Sequence, residues 1–141
     1  MALELGRVTD RKPPFKYSSL IRVGFSDTDA QGIVYYGRYL PYFDSARVEY
    51  HRHLEMLVTG RREHEFVMRA NTIEYHAPAR FDDLIEVFIR VSRIGRTSVT
   101  YEHECLRRRH HQHVVLDERR ACRVPDWYRE QITAFEGEDL A

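Results

Sequence analysis

The spacing of apolar residues changes period once along the chain, and that change divides it. In residues 17–25 (Y-S-S-L-I-R-V-G-F) Ile21, Val23 and Phe25 alternate with Leu20 and Arg22. That is the period-two pattern of a half-buried strand. The stretch D-T-D-A-Q-G at 27–32 then breaks it. Beyond the break Tyr39, Phe43, Ala46, Tyr50, Leu54 and Leu57 recur at spacings of 4, 3, 4, 4 and 3. Such spacing predicts one stripe of an α-helix of roughly five turns. Pro41 falls in its first turn, where a missing N–H costs nothing. Asp44, Arg47, Glu49, Arg52 and Glu55 make the face expected to meet water.

After residue 64 the pattern reads as strands. The first covers 66–75 and ends at the turn-like Ala77-Pro78-Ala79-Arg80. Ile85, Val87, Ile89 and Val91 alternate in the next, and Arg93-Ile94-Gly95-Arg96 supplies a tight turn. Thr97, Val99, Tyr101, His103 and Cys105 continue a third strand, 107–112 is a polar turn, and 114–124 is a fourth. Pro125 stops it, and Asp126 is placed to cap a short helix through Phe135, packed by Trp127, Tyr128 and Ile132. Residues 1–16, with Arg11-Lys12-Pro13-Pro14, read as a flexible leader, and 17–141 as a single domain. Strands joined by short turns are antiparallel neighbours. The expected class is α+β: a curled antiparallel five-stranded sheet wrapped around one long helix, the hotdog fold, with a short C-terminal helix. Such a sheet keeps exposed edges, which edge-to-edge pairing of two copies removes, so a homodimer is expected.

Composition narrows the function classes. The chain has 141 residues, 43% apolar and 31% charged, as expected of one folded domain. Lys+Arg and Asp+Glu both number 22, so no basic excess points to a nucleic-acid backbone. No run is long enough to span a bilayer and no secretory signal opens the chain. With only Cys105 and Cys122 and no C-x-x-C pair, reduced thiols in a cytoplasmic protein are expected.

The stretch D-T-D-A-Q-G-I-V-Y-Y-G-R-Y-L-P-Y-F-D-S-A-R-V-E-Y (27–50), with A-P-A-R-F-D-D-L-I-E-V (77–87) and R-I-G-R-T-S-V-T-Y-E (93–102), resembles acyl-CoA thioesterases of the 4-hydroxybenzoyl-CoA thioesterase type, including their YbgC-like branch. The resemblance implies hydrolysis of acyl-CoA to free acid and CoA, without a metal or cofactor, since coenzyme A is part of the substrate. It implies a homodimer or homotetramer. It puts the reacting carboxylate at Asp29, either as nucleophile on the thioester carbonyl or as a base activating water. A thioester also demands stabilisation of the developing oxyanion. The resemblance assigns that to a backbone N–H at the helix start, at Tyr36 with Gly37 beside it, where unpaired N–H groups and the helix dipole favour negative charge. Gly32 lets the chain turn between the two. For coenzyme A the resemblance implies Arg96, with Ser98 and Arg93 as companions; guanidinium groups pair well with phosphate.

The chain departs from the family in two places. Tyr36 stands where the YbgC-like branch usually has His, and Arg38 where both branches usually have Asn. Arg38 either meets a carboxylate or phosphate of the ligand or faces solvent. Tyr39 and Phe43 belong to the core stripe, at the end where they can also line a substrate pocket. Asp27 reads as a turn former. His110, His111 and His113 beside Arg107-Arg108-Arg109 read as a solvated hairpin, not a metal site. Two other readings compete: a hotdog enoyl-CoA hydratase or dehydratase, and a non-catalytic acyl-CoA-binding hotdog protein.

Overall fold

A computed structural model of the chain describes residues 4–56, 67–109 and 112–115. Five antiparallel strands form one sheet in chain order: β1 (Gly6–Val8), β2 (Tyr17–Arg22), β3 (Leu84–Ile94), β4 (Val99–Arg109) and β5 (Gln112–Val115). Among the described residues one α-helix, α1 (Tyr39–His53), packs on β2 and β3. An antiparallel sheet carrying a single long helix is the expected arrangement. Its strand list differs from the expected one at two places, and β4 runs on through Arg107-Arg108-Arg109, expected in a polar turn, because these residues find ladder partners in Gln112, His113 and Val114.

Residues 67–75 form no strand: no ladder bond joins them to the sheet among the described residues, and Val67, Met68 and Tyr75 are exposed. Alternating apolar residues do not make a strand without a partner backbone. Conversely, the stretch read as a flexible leader carries β1, which pairs with β2 from Gly6↔Ser19 to Val8↔Tyr17. Residues 9–16 then cross the face of the sheet opposite the helix, and Phe15 is buried there against Phe88, ring centroids 6.0 Å apart. The expected helix after Asp126, and most of the strand expected at 114–124, lie outside the described residues.

Covering both faces explains β3. Ile85 and Val87 point into the core under α1 with Val23, Val34, Tyr39, Tyr42 and Ala46. Glu86 and Phe88 point the other way, and Phe88 packs with Phe15 and Leu106. Glu86 is fully buried at 0% exposure. Arg11 Nη2 donates to its two carboxylate oxygens at 2.5 and 2.9 Å, and Arg7 lies at 3.4 Å. A carboxylate is tolerated inside a sheet only with such partners.

The helix also sits rotated from expectation. Its buried positions are Tyr39, Tyr42, Ala46 and Glu49, with Phe43 and Tyr50 only partly covered. Glu49, expected at the surface, accepts the Leu5 N–H at 3.2 Å and pairs with Arg52 at 3.6 Å, so the chain entering β1 is what draws it inside.

On the flank facing β4, Phe43 stacks on His103 with centroids 4.9 Å apart. Burial, reinforced by Arg47, pushes the His103 imidazole down from its ordinary 6.5 to about 4. Below pH 6.5 the unfolded chain takes a proton that the folded chain refuses, so stability falls as pH drops from 6.5 towards 4. The expected slope from this group is up to about 1.4 kcal/mol per pH unit. His103→Phe should flatten that part of the slope, measured by urea unfolding at pH 5 and 7. An unchanged slope would assign the acid sensitivity elsewhere.

Candidate active site

The D-T-D loop leaves β2 at the end where β3 begins. Val23 N–H donates to the Asp83 carbonyl at 2.9 Å, and Asp82 N–H returns to Val23 at 3.0 Å. A 3-10 turn at Phe25–Asp27 follows, and then the chain reverses. Gly32 N–H donates to the Asp29 carbonyl at 3.0 Å, and Asp29 N–H to the Ile33 carbonyl at 2.9 Å. Gly32 has φ of 78°, a left-handed conformation that a side chain would strain. The Asp29 carboxylate accepts the Gln31 N–H through Oδ1 at 2.8 Å, an Asx turn that fixes its direction while the residue stays half-buried.

The reversal lays 33–35 back along 27–29. Thr28 bridges Val34, Ile33 bridges Arg80, and Tyr35 N–H donates to the Asp27 carbonyl at 2.9 Å. The chain then enters a 3-10 turn at Tyr36–Arg38, which runs directly into α1. The N–H groups of Tyr36 and Gly37 have no acceptor among the described residues, as expected at a helix start. A Cβ at Gly37 would lie 2.9 Å from the Tyr35 ring, so a side chain there would push that ring aside. Tyr35 packs against Tyr36 at 4.4 Å between centroids. The Tyr35 phenol is raised, first by its hydrogen bond with Tyr36, with a smaller push from the Asp29 carboxylate.

Tyr36 itself is 62% exposed, and its carbonyl accepts the Tyr75 hydroxyl at 3.2 Å. Tyr39 is buried, its hydroxyl accepts the Ala79 N–H at 3.3 Å, and burial raises its phenol. It also lines a cavity of about 590 Å³ between α1, β4 and residues 68–77, together with Leu40, Phe43 and Arg47. Asp29 does not line that cavity. Arg38 turns neither to the cavity nor wholly to solvent: its guanidinium lies 3.8 Å from Asp27 and 3.4 Å from the Ser26 carbonyl.

Arg93, Arg96 and Ser98 stand apart. They sit exposed at the β3–β4 hairpin, where Gly95 N–H donates to the Ser98 carbonyl at 2.8 Å. The acidic loop meets β3 at its other end, near Leu84. The 11 residues of β3 separate the two ends, about 33 Å at about 3.3 Å for each step between residues. One copy of the chain does not bring these arginines to Asp29. The sequence reading missed Asp27's second role as a junction between loop and helix, for which a lone carboxylate gives no pattern.

A helix-bearing antiparallel sheet with an acidic reversal feeding the helix start defines the hotdog class of protein. The thioesterase superfamily profile matches residues 31–112, and the chain belongs to that superfamily. The acyl-CoA thioester hydrolase YbgC of Escherichia coli is 36% identical over 83 residues, which span 57% of this chain and 62% of that protein. The match thus covers less than two thirds of that relative's length. The acyl-CoA thioesterase YbgC of Haemophilus influenzae is 35% identical over 94 residues, 64% of this chain and 69% of that one. A probable thioesterase from Bartonella henselae, known by crystal structure, superposes with a TM-score of 0.61 at 29% identity, over 77% of this chain and 97% of that one.

Proposed function

We propose that the protein hydrolyses acyl-CoA thioesters to free acid and coenzyme A, with Asp29 as nucleophile or general base and the N–H groups at Tyr36 and Gly37 as oxyanion donors. The observation that supports this most is the reversal at 27–35. It sets a directed carboxylate beside a helix start where the Tyr36 and Gly37 N–H groups have no acceptor among the described residues. Attack on the carbonyl carbon moves charge onto its oxygen, and donors already oriented towards that charge need no reorganisation. The thiolate of coenzyme A leaves, and water supplies the oxygen of the acid. No cofactor enters the step, because coenzyme A arrives with the substrate.

The names of the matched relatives favour the acyl-CoA substrate class. Arg96, with Arg93 and Ser98, is assigned to the nucleotide end of coenzyme A. Their distance from Asp29 within one copy favours a homodimer, in which the hairpin of one subunit serves the loop of the other. A homotetramer is the next larger assembly this reading admits, and a cytoplasmic location suits the substrate. No helix among the described residues is long and apolar enough to cross a membrane. The hydratase and non-catalytic readings have no residue of their own here: no histidine stands in the reversal or at the helix start.

The test is a hydrolysis screen across aryl-, short- and long-chain acyl-CoAs, with Asp29→Asn as control and crotonyl-CoA hydration measured in parallel. Hydration without hydrolysis would overturn the proposal. For the nucleotide end, Arg96→Ala should raise KM about 10-fold for full CoA esters, the value of one charge-assisted hydrogen bond. It should spare N-acetylcysteamine and pantetheine thioesters, and equal losses on both kinds would remove Arg96 from the site.

A further inference from the structure

The loop that carries Asp29 is closed by its own hydrogen bonds, which fix its internal shape. What remains to be fixed is its tilt against the start of α1. The contacts that cross this gap converge on Asp27, whose side chain is 18% exposed. Oδ2 accepts the Gly24 N–H at 2.9 Å, on the strand side of the loop. On the helix side its backbone carbonyl accepts the Tyr35 N–H at 2.9 Å, and Oδ1 lies 3.8 Å from Arg38 Nε. Arg38 reaches the loop a second time, from Nη2 to the Ser26 carbonyl at 3.4 Å. Below them Tyr42, buried on α1, has its phenol raised by burial and then by the Asp27 carboxylate.

We infer that Asp27, held by Arg38, is a positioning residue that sets the distance between the Asp29 carboxylate and the N–H groups at the helix start without touching substrate. The inference rests on the reading of those two features as the reacting groups. Asp27 is two residues from Asp29, and Arg38 is one and two residues from the proposed donors, so the pair spans the gap over which reaction takes place. A displacement of about 1 Å between reacting groups can cost a factor of about 100 in rate. An Asp27 whose carboxylate accepts the Gly24 N–H and faces Arg38, and whose backbone carbonyl accepts the Tyr35 N–H, resists such a displacement. Arg38, with its guanidinium turned back on the loop, is spent on this contact, and does not reach out for a ligand anion.

The test compares Asp27→Asn, Arg38→Gln, their double variant and Arg38→Lys. Kinetics are measured on benzoyl-CoA and hexanoyl-CoA, and hydrogen exchange at the Gly32 and Tyr35 amides. Asp27→Asn should lower kcat about 10- to 100-fold with KM changed by a factor of no more than about 3. Arg38→Gln should lower kcat about 3- to 10-fold, Arg38→Lys should restore part of it, and the double variant should be no worse than Asp27→Asn, because coupled residues are not additive. Exchange at Tyr35 should quicken in both single variants. A rise in KM with kcat intact in Arg38→Gln would make the guanidinium a ligand contact and overturn the inference. Unchanged kcat and exchange in an active protein would overturn it too. A native protein inactive on both esters would instead defeat the thioesterase reading, and the positioning role with it.

Discussion

Asp29→Asn is expected to lower kcat on acyl-CoA by about three orders of magnitude, within the range general-base or nucleophile removal usually costs. Fold and assembly should be unaffected. The side-chain carbonyl oxygen of the substituted amide would still accept the Gln31 N–H that Asp29 now accepts at 2.8 Å, so the turn and the direction of the side chain persist. What is lost is the anionic oxygen. The residue is only half-buried, so its effect on stability should stay within about 0.5 kcal/mol, the usual range for surface substitutions. Asp29→Ala removes the turn as well, and should lower both activity and loop order. Steady-state kinetics with an unfolding curve for each variant separates the two effects. Near-native turnover in Asp29→Asn would remove Asp29 from the chemistry, whatever the fold.

Much of this site was legible because its residues are local. Two aspartates, a glycine and a helix start lie within a dozen positions, and each has a short-range role that its type announces. The helix was legible by its period, yet its buried face was offset: Tyr42 and Glu49 are inside where Phe43 and Tyr50 were expected. That face is set by the chain entering β1, where the Leu5 N–H just ahead of the strand binds Glu49, and β1 is too short to show a period of its own. The strand expected at 66–75 fails for the opposite reason, since its alternation is visible but pairing depends on a partner that periodicity does not specify. Arg38 shows the limit most plainly. A charged side chain carries no pattern, and only the folded loop shows that it turns back towards Asp27. The sequence did hold an unused signal in Glu86, a carboxylate inside an apolar run, with Arg7 and Arg11 waiting in the stretch read as a leader.

That signal leads to the largest expected effect on stability. Arg11→Ala should destabilise the fold by about 2–3 kcal/mol, below the 3–5 kcal/mol typical of a broken buried pair because the Arg11 side chain is itself 33% exposed. For a chain of this size that lowers Tm by about 5–10 °C. Glu86→Met, which removes the buried charge and fills its volume, should cost less than about 1 kcal/mol, since Arg7 and Arg11 are 52% and 33% exposed and water can take over their charges, so no charge is left buried. The order of the two is the informative part. If residues 9–16 only rested on the sheet, Arg11→Ala would be mild and Glu86→Met would differ little from it. If the guanidinium neutralises a carboxylate at 0% exposure, removing the cation is the worse change, because the buried carboxylate then loses its shortest ion pair, at 2.5 Å, in the layer that holds Phe15 and Phe88. Thermal unfolding followed by circular dichroism decides between them, and a Glu86→Met loss exceeding that of Arg11→Ala would show that the carboxylate holds this layer by contacts other than Arg11.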